Sequence, residues 1–96
     1  MDIIDIGEPV KVQVIFDVIP CIRDSKGTTF PHNKIKPRTF YWHNREYQVQ
    51  EITYVWREAI GDAIIYHFAV TECDNVFELC FNNTTMEWTL ANVARE

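Results

Sequence analysis

Three cysteines, three histidines and a basic aromatic stretch are the residues of this chain with chemistry beyond packing. Cys21, Cys73 and Cys80 are odd in number, widely spaced, and form no C-x-x-C pair. His32, His43 and His67 lack the close-pair spacing of zinc signatures, such as C-x₂₋₄-C or H-x₃₋₅-H. The sequence therefore assigns no metal ligands, no cofactor and no catalytic residue. His67 falls on one strand face with Ile65 and Ala69, the setting of a hydrogen-bonded structural histidine. Cys80, between Leu79 and Phe81, reads as a packing residue. Cys73 stands between Glu72 and Asp74, whose negative charge disfavours a thiolate. Cys21, beside a basic segment, is the one thiol placed for reactivity. Acidic pairs such as Asp17 and Asp24, or Glu72 and Asp74, read as solvated turns. Three isolated glycines make no phosphate loop.

The charge pattern is more informative. The whole chain carries a formal charge of −5, which argues against a general polyanion binder. Yet Arg23 to Arg45 holds six basic residues (Arg23, Lys26, Lys34, Lys36, Arg38, Arg45) against Asp24 alone. Phe40-Tyr41-Trp42 lies inside this stretch. Small β domains bind single strands by stacking bases on exposed aromatics beside cations. Alternation exposes Tyr41 and buries Phe40 and Trp42. The candidate recognition surface is thus Lys34, Lys36, Arg38, Tyr41 and Arg45.

Ninety-six residues make one domain, and at this size only about 60–65% of the unfolded surface is buried. A hydrophobic content of 47%, with three Trp, four Tyr and six Phe, supplies the core. No run reaches the roughly 18–20 apolar residues of a membrane helix. The acidic start, Met1-Asp2-Ile3-Ile4-Asp5, does not resemble a signal peptide. The expectation is a cytoplasmic protein with no membrane partner.

The elements that position these residues read as strands. Residues 1–9 form a flexible lead-in. Val10, Val12, Val14 and Phe16 alternate with polar neighbours and give a first strand over 10–19, ended by Pro20. Residues 20–37 form a basic loop with no apolar period, and 23–38 are expected to be more mobile than the sheet. A meander over 38–90 follows. Its first strand is Arg38–His43, turned at His43-Asn44-Arg45-Glu46. The next begins at Tyr47 and Val49 and changes phase to Ile52, Tyr54 and Trp56, which implies a bulge near Gln50-Glu51. A helix over Val49–Ala59 competes, but β-branched and aromatic enrichment favours strand. Turns at Gly61-Asp62, Cys73-Asp74-Asn75 and 82–85 separate the remaining strands, and 91–96 form a tail. The fold class is all-β: an antiparallel meander of about six strands curled into a small barrel or sandwich. The expected core is Val12, Val14, Phe16, Phe40, Trp42, Val49, Phe68, Val70, Phe77, Leu79 and Trp88.

The runs Pro37-Arg38-Thr39-Phe40-Tyr41-Trp42, Tyr47-Gln48-Val49, Ile52 and Trp56-Arg57 resemble an uncharacterised family of small bacterial β-rich proteins. Tyr66-His67-Phe68-Ala69-Val70, Val76-Phe77-Glu78-Leu79-Cys80-Phe81 and Trp88-Thr89-Leu90 extend the resemblance, which covers residues 37–90 and the first strand more loosely. It implies a β fold and a bacterial cytosolic origin, and no activity. The basic loop departs from that pattern. The functional expectation is a binding or adaptor module acting through a sheet edge or surface patch. Its partner would be an unknown protein or a second copy. Single-stranded nucleic-acid binding through the basic loop and Tyr41 is the alternative, and a small enzyme is the second alternative.

Overall fold

Period-two alternation marks the first strand and most of 38–90, and each alternating run among the described residues becomes a strand with one face on the core. The computed structural model describes residues 2–16 and 35–95. It contains seven strands: β1 (Asp2–Phe16), β2 (Ile35–Trp42), β3 (Arg45–Gln48), β4 (Glu51–Ile60), β5 (Ala63–Glu72), β6 (Asn75–Asn82) and β7 (Glu87–Arg95). All pairings are antiparallel, in one sheet of order β3-β2-β1-β7-β6-β5-β4. The class is all-β as expected, with seven strands among the described residues in place of about six, and no ladder among those residues closes the sheet into a barrel. No helix among the described residues is long and apolar enough to cross a membrane.

Two corners fold the sheet onto itself. β1 pairs with β7 over Asp2–Val10 and with β2 over Lys11–Phe16. A strand that changes partners along its length must bend between them. Gly7, at φ +66°, supplies a bulge in the first half. The second corner is Val49-Gln50. The Val49 N–H donates to the Arg38 carbonyl on β2 and the Gln50 N–H to the Thr71 carbonyl on β5, both at 2.8 Å. β3 and β4, at opposite ends of the strand order, are thus one run of chain crossing from one edge to the other. The phase change expected from a bulge at Gln50-Glu51 comes from this crossing. The bulge itself lies at Thr53, between Ile52 and Tyr54.

Several boundaries move. β1 is described from Asp2, so the expected lead-in over 1–9 is strand from that residue on, paired with β7 down to Arg95. The expected tail over 91–96 is strand to Arg95 for the same reason. Each end pairs with the other, a long-range contact that local composition does not signal. Ile35, Lys36 and Pro37 belong to β2 rather than to the basic loop, ahead of the expected start at Arg38. Pro37 fits because it pairs with Val14 at a register shift, where a missing N–H is tolerated. The remainder of that loop, with Cys21, His32 and Lys34, lies outside the described residues, as does the expectation of its mobility.

The core fills the space between the two halves. Phe40 stacks on Tyr47 at 4.8 Å and meets Phe77 edge-on at 5.0 Å. Phe40, Phe68, Val70, Phe77 and Leu79 are buried as expected. Val12, Val14, Trp42, Val49 and Trp88 pack against them only partly buried. Phe16 is the exception, 61% exposed, because it pairs with Ile35 on a rung where the described sheet is two strands wide. Tyr66, Phe81, Leu90 and Val93 complete the core.

Candidate functional site

Residues that face away from the core on β4, β5, β6 and β7 build a polar cluster on the outer surface. Its rungs are fixed by register: Trp56 opposite His67, His67 opposite Cys80, and Glu78 opposite Asn92. Two-residue turns at Gly61-Asp62 and Cys73-Asp74 set the first two pairings. Both turns place a residue at positive φ, Gly61 at 59° and Cys73 at 54°.

The geometry is convergent. Cys80 Sγ lies 3.2 Å from His67 Nδ1 and 3.5 Å from Glu78 Oε2, and His67 Nδ1 lies 3.2 Å from Glu78 Oε2. On the far side of the imidazole, Nε2 is 3.1 Å from Glu58 Oε1. The Asn92 amide donates to Glu78 Oε1 at 3.2 Å. Trp56 stacks on the His67 ring, 4.9 Å between centroids and 4° between planes, and Tyr54 leans on Trp56 at 5.3 Å. The His67 side chain is only 12% exposed, against 52% for Glu58. Burial, followed by the Glu78 charge, pushes the Cys80 thiol up to about 12.

Thiol, imidazole and carboxylate in a row are also the layout of a nucleophile, base and orienting group. Two features oppose that chemistry. A nucleophilic cysteine needs its pKa lowered, and here it is raised. β6 is laddered on both sides, to β5 and β7, so its backbone N–H groups around Cys80 are committed and offer no oxyanion hole. Cys73, exposed at its turn, is also raised, by its hydrogen bond to Glu72 and by that carboxylate's charge.

Of the expected recognition surface, the structure parts Arg45 from Tyr41. Lys34 lies outside the described residues. Lys36 and Arg38 sit on β2, Arg38 at the irregular rung where its carbonyl takes the Val49 N–H. Tyr41 pairs with Lys11 and Glu46 on the outer face, and its hydroxyl bonds the Glu46 carboxylate, which raises its pKa. Lys11 and Tyr41 line an open depression of about 720 Å³ with His43 and Asn44. Arg45 is on the other face, its guanidinium 4.6 Å from the Tyr47 ring centroid and 3.7 Å from Glu72. The structure thus separates Tyr41 from Arg45. It brings together His67, Cys80, Glu78 and Glu58, which pairwise spacing along the chain did not reveal. The available signal was hairpin symmetry: His67 stands six residues before Cys73, and Cys80 six after Asp74.

At the edge of the same surface lies β4. It is ten residues long and has β5 as its only ladder partner among the described residues, while the opposite edge, β3, has four residues. Tyr54 and Ile60 on β4 are 64% and 57% exposed.

No protein-family model, no curated protein and no solved structure matches this chain.

Proposed function

We propose that this chain is a non-catalytic binding module that takes an extended peptide segment onto the edge of β4 that faces away from β5. One observation carries the reading: β4 has one ladder partner, so its outer row of backbone groups faces no strand among the described residues. An added strand satisfies those groups, and side-chain pockets beside the edge supply selectivity. The Thr53 bulge confines the regular run to Tyr54–Ile60. Trp56, stacked on His67, and Tyr54, tilted against Trp56, offer aromatic contact area on the outer face of that run. The raised thiols of Cys73 and Cys80 support the non-catalytic part of the reading. Free thiols at both positions also suit a reducing, cytoplasmic setting.

The nucleic-acid reading has less behind it, since the Tyr41 hydroxyl is engaged by Glu46 and Arg45 lies on the opposite face. Selection of peptides from a random extended library, followed by amide exchange, tests the proposal. Selected peptides should slow exchange across residues 54–60. Protection centred on Tyr41, tight binding of oligothymidylate in place of peptide, or a library without binders would each overturn it. Protection of β4 that depends on protein concentration, with no peptide present, would make a second copy the occupant and overturn the peptide reading.

A further inference from the structure

In the outer-face cluster a sulfur, a ring nitrogen and a carboxylate oxygen converge on one point. With Nε2–H donating to Glu58, the imidazole presents the bare lone pair of Nδ1 to Cys80 and Glu78. Nδ1 and Glu78 Oε2 are then two acceptors 3.2 Å apart, sharing one thiol proton between them. A cation placed among the three atoms satisfies all of them.

We infer that Cys80 Sγ, His67 Nδ1 and Glu78 Oε2 form a binding site for a zinc-class divalent cation on the outer face of β5 and β6. The three donor atoms lie within 4.8 Å of one another. Metal–sulfur bonds of about 2.3 Å and metal–nitrogen or metal–oxygen bonds of about 2.0–2.2 Å at tetrahedral angles put donors roughly 3.3–3.6 Å apart. The observed separations of 3.2, 3.2 and 3.5 Å need shifts of only a few tenths of an ångström. One sulfur, one nitrogen and one carboxylate oxygen make a borderline-soft set, suited to zinc or cobalt(II) rather than to magnesium or calcium. Outer partners are already in place. Glu58 takes the second imidazole N–H and Asn92 holds the free oxygen of Glu78, the arrangement that orients metal ligands. Binding releases the Cys80 thiol proton to solvent, and the thiolate, Glu78 and Glu58 charges are then partly neutralised by the dication. Three protein ligands leave a fourth position for water or a ligand atom.

The site is independent of peptide capture at β4, and its test uses no peptide. Cobalt(II) is titrated into the full chain carrying Cys21→Ser and Cys73→Ser, so that Cys80 is the one thiol present. The expected result is one equivalent bound, with a thiolate-to-cobalt charge-transfer band and four-coordinate visible absorption, both removed by zinc. Cys80→Ser should abolish the charge-transfer band. His67→Gln and Glu78→Gln should each weaken affinity at least about tenfold. The positioning variants Glu58→Gln and Asn92→Ala should weaken it by about 10–100-fold while keeping the band. Glu58 is half exposed, so its neutral replacement leaves the fold intact and keeps the test valid if a buried variant fails to fold. No band at tenfold excess of cobalt overturns the assignment, and leaves Glu58, His67, Glu78 and Cys80 as a hydrogen-bonded cluster. A band whose affinity is indifferent to His67→Gln, Glu78→Gln and Glu58→Gln overturns it equally, as adventitious thiolate binding.

Discussion

Replacing Phe40 tests whether the two halves of the sheet share one core. Its ring is fully buried, stacked on Tyr47 from the same half and edge-on to Phe77 from the other. Phe40→Leu keeps an apolar side chain of similar bulk and removes two aromatic pairs, each worth about 0.5–1.5 kcal/mol. The expected loss is about 1–3 kcal/mol. Phe40→Ala adds a cavity and should cost about 3–5 kcal/mol, a large part of the roughly 5–15 kcal/mol that stabilises a domain of this kind. Urea unfolding followed by circular dichroism reads the loss. With a slope near 1–2 kcal/mol per molar urea, the Leu variant should move the midpoint down by roughly 1 M. Ile60→Ala, at a 57% exposed position, serves as the control and should stay within about 0.5 kcal/mol. If Phe40→Leu matched the control, or the unfolding split into two transitions, the shared core would be refuted and the halves would be separate cooperative units.

Three further outcomes follow from single residues. Gly7→Ala should cost about 1–2 kcal/mol through its positive φ alone, since no atom lies within 4 Å of the added methyl; a neutral or stabilising result by thermal unfolding would show that β1 does not bulge there. The Trp42 indole N–H donates to Glu8, and with His43 it holds that carboxyl below its usual 4.5. Because the folded pKa is depressed, the interaction contributes stability above about pH 4.5 and is lost as pH falls through the folded value. The indole N–H resonance of Trp42 should titrate below that point in the native chain and not in Glu8→Gln; a flat profile in both would refute the link. Cys80, raised from 9.0 to about 12, should carry roughly a thousandfold less thiolate than an ordinary cysteine. With Cys21 and Cys73 replaced by Ser, its labelling by a disulfide reagent near pH 8 should slow by about that factor in the folded chain relative to urea. Equal rates would contradict the burial of the thiol.

What the sequence determined by itself was periodic and local. Alternation from Val10 to Phe16 and from Ile64 to Val70 dictates strands, because side chains two apart share a face. Left-handed conformations at Asn44 and Gly61 mark turns, because those residues tolerate positive φ. Two-residue turns fix register as well: once the expected Cys73-Asp74-Asn75 turn is confined to Cys73-Asp74, His67 and Cys80 stand at equal distances from it and must pair. Pairwise spacings searched for zinc signatures pass over this relation, since they describe ligands on loops and helices and not on facing strands. The tertiary structure alone decided the rest. Asp2 through Asp5 become strand only because β7 comes back to pair with them. Phe16 leaves the core because its rung is two strands wide, a fact about neighbours and not about phenylalanine. A bulge near Gln50-Glu51 is the reading from sequence, yet Val49-Gln50 carries the chain between opposite edges, and only the hydrogen bonds to Arg38 and Thr71 distinguish the two. Tyr41 and Arg45, four residues apart in one basic stretch, part because the turn at His43-Asn44 puts them on opposite faces. Glu58 and Asn92 reach His67 and Glu78 from strands on either side of β5 and β6, through ladders whose order no local pattern encodes.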